Sequence, residues 1–322
     1  MKAVVVLAIA VTCAEALALA GGASRVVFVR NNQIYTASED GSQLRQLTTD
    51  AKTKQYPKWS PDGTRIAYLT EGDMSKDPKS RAKIEVISVS GEHLGTAPVL
   101  VTDADGTLVG GMRWIDAIGW YDSQHVFVKG SASPYSGEFR TIDVRSGKMG
   151  GYIVGGFAVC ASKGLIAYWA PVFPPSKAKR LEINERDAGF EFPDYNVLPT
   201  IFVPLAWTPD CEHLAFLDLR PPATLVLVQE NKVVRKVKLP GDDFKIDGLT
   251  PDKQGLVLAG SKKTLIYSWQ KNTLSEAPQI LLKEIELRRA ERERVVKELG
   301  GESPDWTTDS PLRSPNDKSP KL

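Results

Sequence analysis

The chain is poor in the residues that build metal and nucleophile chemistry, with three histidines and three cysteines among 322 residues. His93, His125 and His213 stand in separate segments, which argues against a zinc site or an acid/base cluster. No pair of cysteines has a metal-ligand spacing. The G-x-S-x-G turn of a serine hydrolase is missing, and GSASPYSG (residues 130–137) is the nearest stretch. Excess charge is small too: 41 basic side chains oppose 39 acidic ones, so no global field points to nucleic acid or a membrane surface. DADG (residues 103–106) lacks the further oxygen ligands of a calcium loop and reads as a turn.

A long apolar run is also lacking. AVVVLAIAV after Lys2 is too short to span a bilayer and is followed by small residues, ALALAGGA. This is the pattern of a secretory signal peptide over residues 1–23, so the mature chain is expected to be periplasmic or secreted, with no stable membrane span. Cys13 leaves with that segment. An oxidising compartment permits Cys160 and Cys211 to pair, but two cysteines make no disulfide framework, and buried free thiols are the expected state.

What the sequence does have is repetition. YPKWSPDGTRIAYL (residues 56–69) divides into a strand ending at Trp59, a turn with Pro61, Asp62 and Gly63, and a second strand. Degenerate copies carry Trp120 and Asp122; the IAY triplet at 166–168; Trp207, Pro209 and Asp210; and Pro251 and Asp252. SRVVFV at residues 24–29 supplies a sixth second strand without its turn. A β-rich segment and a further turn follow each copy, as in QIYTAS, KIEVISV and TLVLVQ. The unit is therefore four short antiparallel strands, recurring at roughly 35 to 60 residues. A sheet this small cannot bury both faces alone and must stack on the next.

The expected fold is all-β: a six-bladed β-propeller of four-stranded antiparallel blades over residues 24–277. Ala67, Ala167 and Ala215 suit tapered face-to-face packing, and Tyr68, Tyr168 and Phe216 fill the space between sheets. The turn aspartates are expected to bond turn backbone. From Pro278 the composition changes, and residues 278–300 read as a charged amphipathic helix. It has i,i+4 pairs Glu284–Arg288, Glu293–Lys297 and Arg294–Glu298, and an apolar stripe of Leu281, Ile285, Val296 and Leu299. The Pro/Ser-rich remainder, 301–322, is expected to be a disordered tail, in which Trp306 stands out.

The pattern W-[ST]-P-D-x-x-x-[IL]-A-[FY] at 59–68 and 207–216, with RQLT at 45–48 before the first, resembles the TolB-type, WD40-like propeller repeat. The resemblance implies a propeller and leaves activity open. The α/β domain that precedes the TolB propeller is not matched here, because strand signals begin directly after the signal segment.

In a propeller, the turns joining strands one to two and three to four share one face. Those turns are tight here. The long insertions, at residues 71–82, 130–138 and 170–180 within blades and 102–114 and 190–204 between blades, share the other face. Long loops on a rigid scaffold carry binding residues. The candidates are Arg81, Arg113, Trp114, Tyr135, Phe173, Lys177 and Arg180, suited to a protein, peptide or cell-envelope partner. No catalytic residue, metal or cofactor is expected. The alternatives are a propeller lyase or hydrolase at the channel mouth, and an interaction module acting through the helix and tail.

Overall fold

The computed structural model describes residues 25–70, 82–99, 114–133, 136–154, 157–171, 179–192 and 205–306. The first strands are β1 (Arg25–Arg30), β2 (Gln33–Ser38) and β3 (Arg45–Gln46). The second blade is β4 (Lys54–Trp59), β5 (Arg65–Thr70), β6 (Lys83–Ser88) and β7 (His93–Pro98). The third is β8 (Trp114–Trp120), β9 (His125–Ser133), β10 (Ser136–Asp143) and β11 (Met149–Val154). The fourth is β12 (Phe157–Cys160), β13 (Leu165–Pro171), β14 (Lys179–Ile183) and β15 (Arg186–Phe192). The fifth is β16 (Leu205–Trp207), β17 (Leu214–Asp218), β18 (Thr224–Gln229) and β19 (Lys232–Lys238). The sixth is β20 (Lys245–Leu249), β21 (Gly255–Ala259), β22 (Thr264–Ser268) and β23 (Thr273–Glu276). Helix α1 (Gln279–Glu298) and strand β24 (Glu302–Trp306) complete the chain.

Every blade is one antiparallel four-stranded sheet, and the first is closed from afar, in the order β24-β1-β2-β3. Alternation along each second strand sends side chains to two different neighbours. On β5, Ile66 and Tyr68 pack back on Val27, Val29 and Ile34 of the first blade. Ala67 and Leu69 pack forward on Ile118, Val126 and Val128 of the third. The same partition recurs between blades three and four, four and five, and five and six. Ala67, Ala167 and Ala215 face forward, Tyr68, Tyr168 and Phe216 backward, so consecutive sheets stack round a ring. The fold is a six-bladed β-propeller.

The seam between blades six and one differs. Val26 and Phe28, whose counterparts elsewhere meet the preceding blade, meet Val295, Val296 and Leu299 of helix α1 and its end. Arg289 of the helix pairs with Asp247 on β20, and Arg292 with Glu39 after β2, so the helix is tied to both sides. Of the three expected i,i+4 pairs only Arg294–Glu298 forms, and Arg294 takes Glu291 as well. The helix stops in a Schellman turn: the Gly301 N–H donates to the Val296 carbonyl at 2.9 Å and the Gly300 N–H to Lys297 at 3.0 Å. Gly300 sits at φ +62°. Gly301 lies against Phe28, whose ring is 2.5 Å from where a Cβ would be.

Two expectations change here. The segment from 301 is not wholly disordered, because 302–306 pairs with β1 as the innermost strand of the first blade. The propeller therefore extends past 277 to Trp306, and the helix is an insertion before its last strand rather than an appendage. The expected loop at 130–138 is largely absorbed by a longer hairpin, in which Ser133 still pairs with Ser136. Residues 1–24, which include the expected signal segment, and residues 307–322 lie outside the described residues. Among those described, no helix is long and apolar enough to cross a membrane.

Candidate functional site

The tight-turn face is built from one repeated device. In the second, fifth and sixth blades the hydroxyl of Ser60, Thr208 or Thr250 donates to Asp62, Asp210 or Asp252 at 2.5 Å. The same hydroxyl accepts the N–H of Arg65, His213 or Gly255 at 2.9 Å. Each aspartate also accepts a backbone N–H, at 3.0 Å. These bonds hold the aspartates below their ordinary range: for Asp252 the Thr250 hydroxyl is the largest cause, then the Gln254 N–H. The recurrent carboxylates thus serve the turn.

The turns are also stitched to one another. Arg25 donates to the Gly63 carbonyl at 2.8 Å and lies over the Trp59 ring at 4.6 Å. One blade on, Arg65 reaches Ser123 at 2.6 Å and covers Trp120 at 5.0 Å. Trp120 and Trp207 donate to carbonyls of the preceding blade, Lys58 and Ala158. Cys160 at the end of β12 and Cys211 in the next blade's turn form a disulfide, with Cα atoms 5.9 Å apart. This replaces the expected free thiols. Radial stacking places the same end of successive repeats side by side, a proximity that sequence spacing does not show. Lys163 and Glu212 pair beside the disulfide.

The opposite face is organised differently. A second-strand residue and its third-strand partner both look back toward the preceding blade, near the loop that joins them. In blades one, five and six these pairs are Phe28–Tyr35, Phe216–Val226 and Leu258–Leu265, and the joining loops are short. In blades two, three and four they are Tyr68–Glu85, Val128–Arg140 and Tyr168–Glu182. These three blades carry the long insertions. Charge on the third strand thus accompanies a long insertion in blades two and four and a lengthened hairpin in blade three.

The fourth-blade pair is self-contained. The Tyr168 hydroxyl donates to Glu182 at 2.5 Å, and Arg180 holds the other carboxylate oxygen at 2.6 Å. Burial, then the Glu182 bond, push the phenol well above its ordinary range. The second-blade pair is arranged otherwise. Glu85 is 4% exposed and accepts from Thr96 at 2.6 Å, bonds His93 Nε2 at 2.8 Å and meets Lys52 Nζ at 3.3 Å. Burial raises its pKa, but the Thr96 and His93 bonds and Lys52 outweigh that and leave it lowered. Beside it opens a cleft of about 440 Å³ lined by Thr48, Asp50, Lys52, Tyr68, Thr70 and Glu85, among others. An ionised carboxylate held by three partners is a poor general base.

Of the residues expected to bind, Arg81, Arg113, Tyr135, Phe173 and Lys177 lie outside the described residues. Trp114 opens β8 opposite Ser131, and nothing is described of its side chain. Arg180 is exposed beside the insertion at 172–178, with its guanidinium on Glu182. Sequence reading missed Asp50, Lys52, Glu85 and Glu182. The available signal was a single acidic residue interrupting an apolar strand, in KIEVIS and KRLEI. The histidines are apart, as expected: His93 is on Glu85, His125 is 2.9 Å from Asp122, and His213 stacks on Trp269. Among the described residues no three His, Cys, Asp or Glu side chains are grouped to hold a metal.

No protein-family model matches the chain, and no curated protein matches it in sequence. Several solved structures are similar to it. A chain of the Mitotic Checkpoint Complex shares 15% identity over 79% of this chain and 76% of its own, at a TM-score of 0.46. TolB from Acinetobacter baumannii shares 14% over 88% of this chain and 66% of its own, at 0.40. The periplasmic gluconolactonase of Pseudomonas aeruginosa shares 13% over 80% and 82%, at 0.42. By its own strand pairing the chain is a six-bladed β-propeller, and in build it is similar to the TolB-like and WD40-like propellers.

Proposed function

We propose that this is an exported, non-catalytic binding or scaffold protein that takes a protein, peptide or cell-envelope component on its long-loop face. One observation carries the reading: the tight-turn face is consumed by blade-to-blade ties, while a buried third-strand glutamate coincides with a long insertion in blades two and four. The disulfide supports an oxidising compartment, because paired cysteines persist outside the cytosol and are rare within it. The pinned carboxylates of Glu85 and Glu182 favour recognition over proton transfer.

The test is a loop-shortened chain in which residues 71–81 and 172–178 are each replaced by Asn-Gly. Melting should be near that of the parent, since short loops close these hairpins in other blades. Capture of partners from the native envelope fraction should be lost. Unchanged capture by the shortened chain would overturn the reading. Amino-terminal sequencing of the exported protein should find a start near residue 24.

A further inference from the structure

The blade-two and blade-four tyrosines occupy the same place in their repeats, yet one hydroxyl is satisfied and the other is not. Tyr168 donates to its glutamate. Tyr68, with 4% of its surface exposed, has no hydrogen-bond partner among the described residues, and Glu85 is drawn instead to Thr96, His93 and Lys52. The ring is buried, but its hydroxyl opens into the cleft between the first two blades, where water or a ligand group can supply the bond.

The sign of the missing partner follows from the surroundings. Glu85 and Asp50 both act electrostatically on the Tyr68 hydroxyl, and both are held below their ordinary pKa. Lys54 is fully buried and already committed, donating to Asp50 Oδ1 at 2.9 Å and to the carbonyls of Lys52 and Asp50. The other cation, Lys52, is 58% exposed and touches Glu85 Oε1 at 3.3 Å, a long contact on a flexible stem. Glu85 Oε1 and the phenol oxygen therefore present acceptors to one space, and the cation nearest to it is free to leave.

We propose that this cleft accepts a basic side chain, lysine or arginine, of a partner peptide, and that Lys52 occupies its place until displaced. An ammonium group has three donors and no acceptor, matching Glu85, Tyr68 and the threonine hydroxyls around them. The inference rests on the binding function proposed above and names the chemistry of one subsite.

Calorimetric titration of the full mature chain with acetyl-Gly-Lys-Gly-amide, against the norleucine analogue, tests it. The lysine peptide should bind and the norleucine peptide should not. Lys52→Gln removes the internal competitor and should tighten binding by about tenfold, the worth of one charge-assisted hydrogen bond. Tyr68→Phe in that background should lose most of the gain; phenylalanine already stands at the matching positions 28 and 216. Glu85→Gln keeps the shape, removes the charge and should also lose it. Equal affinity for the two peptides, no binding of either, or weaker binding by Lys52→Gln (the mark of an anion site) would each overturn the proposal. The loop-shortened chain retains the cleft, so its binding of the lysine peptide distinguishes failure of this subsite from failure of the proposed function.

Discussion

The disulfide between blades four and five gives a prediction whose size can be worked from the chain. Cys160 and Cys211 are separated by 51 residues, and closing a loop of that length removes about 14 cal/mol/K of entropy from the unfolded chain. At 298 K this is about 4 kcal/mol in favour of the folded state, an upper value because strain and residual unfolded structure subtract from it. For a large domain each kcal/mol shifts the melting temperature by about 2–4 °C, so the double variant Cys160→Ser/Cys211→Ser should melt lower by up to roughly 8–16 °C. Circular dichroism melts with and without reductant measure this. Wild type in reductant should fall to the level of the double variant, and the variant should not respond. If alkylation of the exported, denatured protein finds two free thiols, or if reductant leaves its melt unchanged, the argument for both the tie and the oxidising compartment fails.

Other perturbations are read more simply. Gly301→Val forces a side chain onto Phe28 and should cost at least about 1–3 kcal/mol; faster amide exchange in β1 and β24 than elsewhere is the readout. Tyr168→Phe removes one bond to Glu182 while Arg180 stays, so a loss of about 1 kcal/mol in denaturant unfolding is expected. The folded-state pKa of Asp252 is depressed, so its contribution is present above the unfolded value of 3.8 and disappears as pH falls through the folded value. Thr250→Ala weakens that depression and should move the acid-unfolding midpoint upward, as followed by tryptophan fluorescence.

The blades were legible because each repeat announces itself locally. Proline and aspartate fix the turn, and alternation fixes which neighbour each side chain meets. The closing strand was not legible. Glu302–Trp306 has a proline inside it and no alternation, and it becomes a strand only by pairing with β1 at the far end of the chain. The cysteines were opaque for a related reason, since their proximity exists only once two sheets are stacked. The cleft was hidden more deeply. Tyr68 and Glu85 are ordinary strand residues in sequence, and only the comparison with Tyr168 and Glu182 in three dimensions shows that one hydroxyl lacks its partner.

The provenance of β24 also orders events in time. Five sheets can assemble from contiguous sequence as it emerges, but the first remains a three-stranded fragment with an open inner edge until Trp306 has been made. Completion of the circle therefore waits on Glu302–Trp306, and a nick in the helix would leave the other five blades intact while cutting the covalent link to that strand. The molecule behaves as a belt whose buckle is fastened last, and mechanical or proteolytic failure should begin at that buckle.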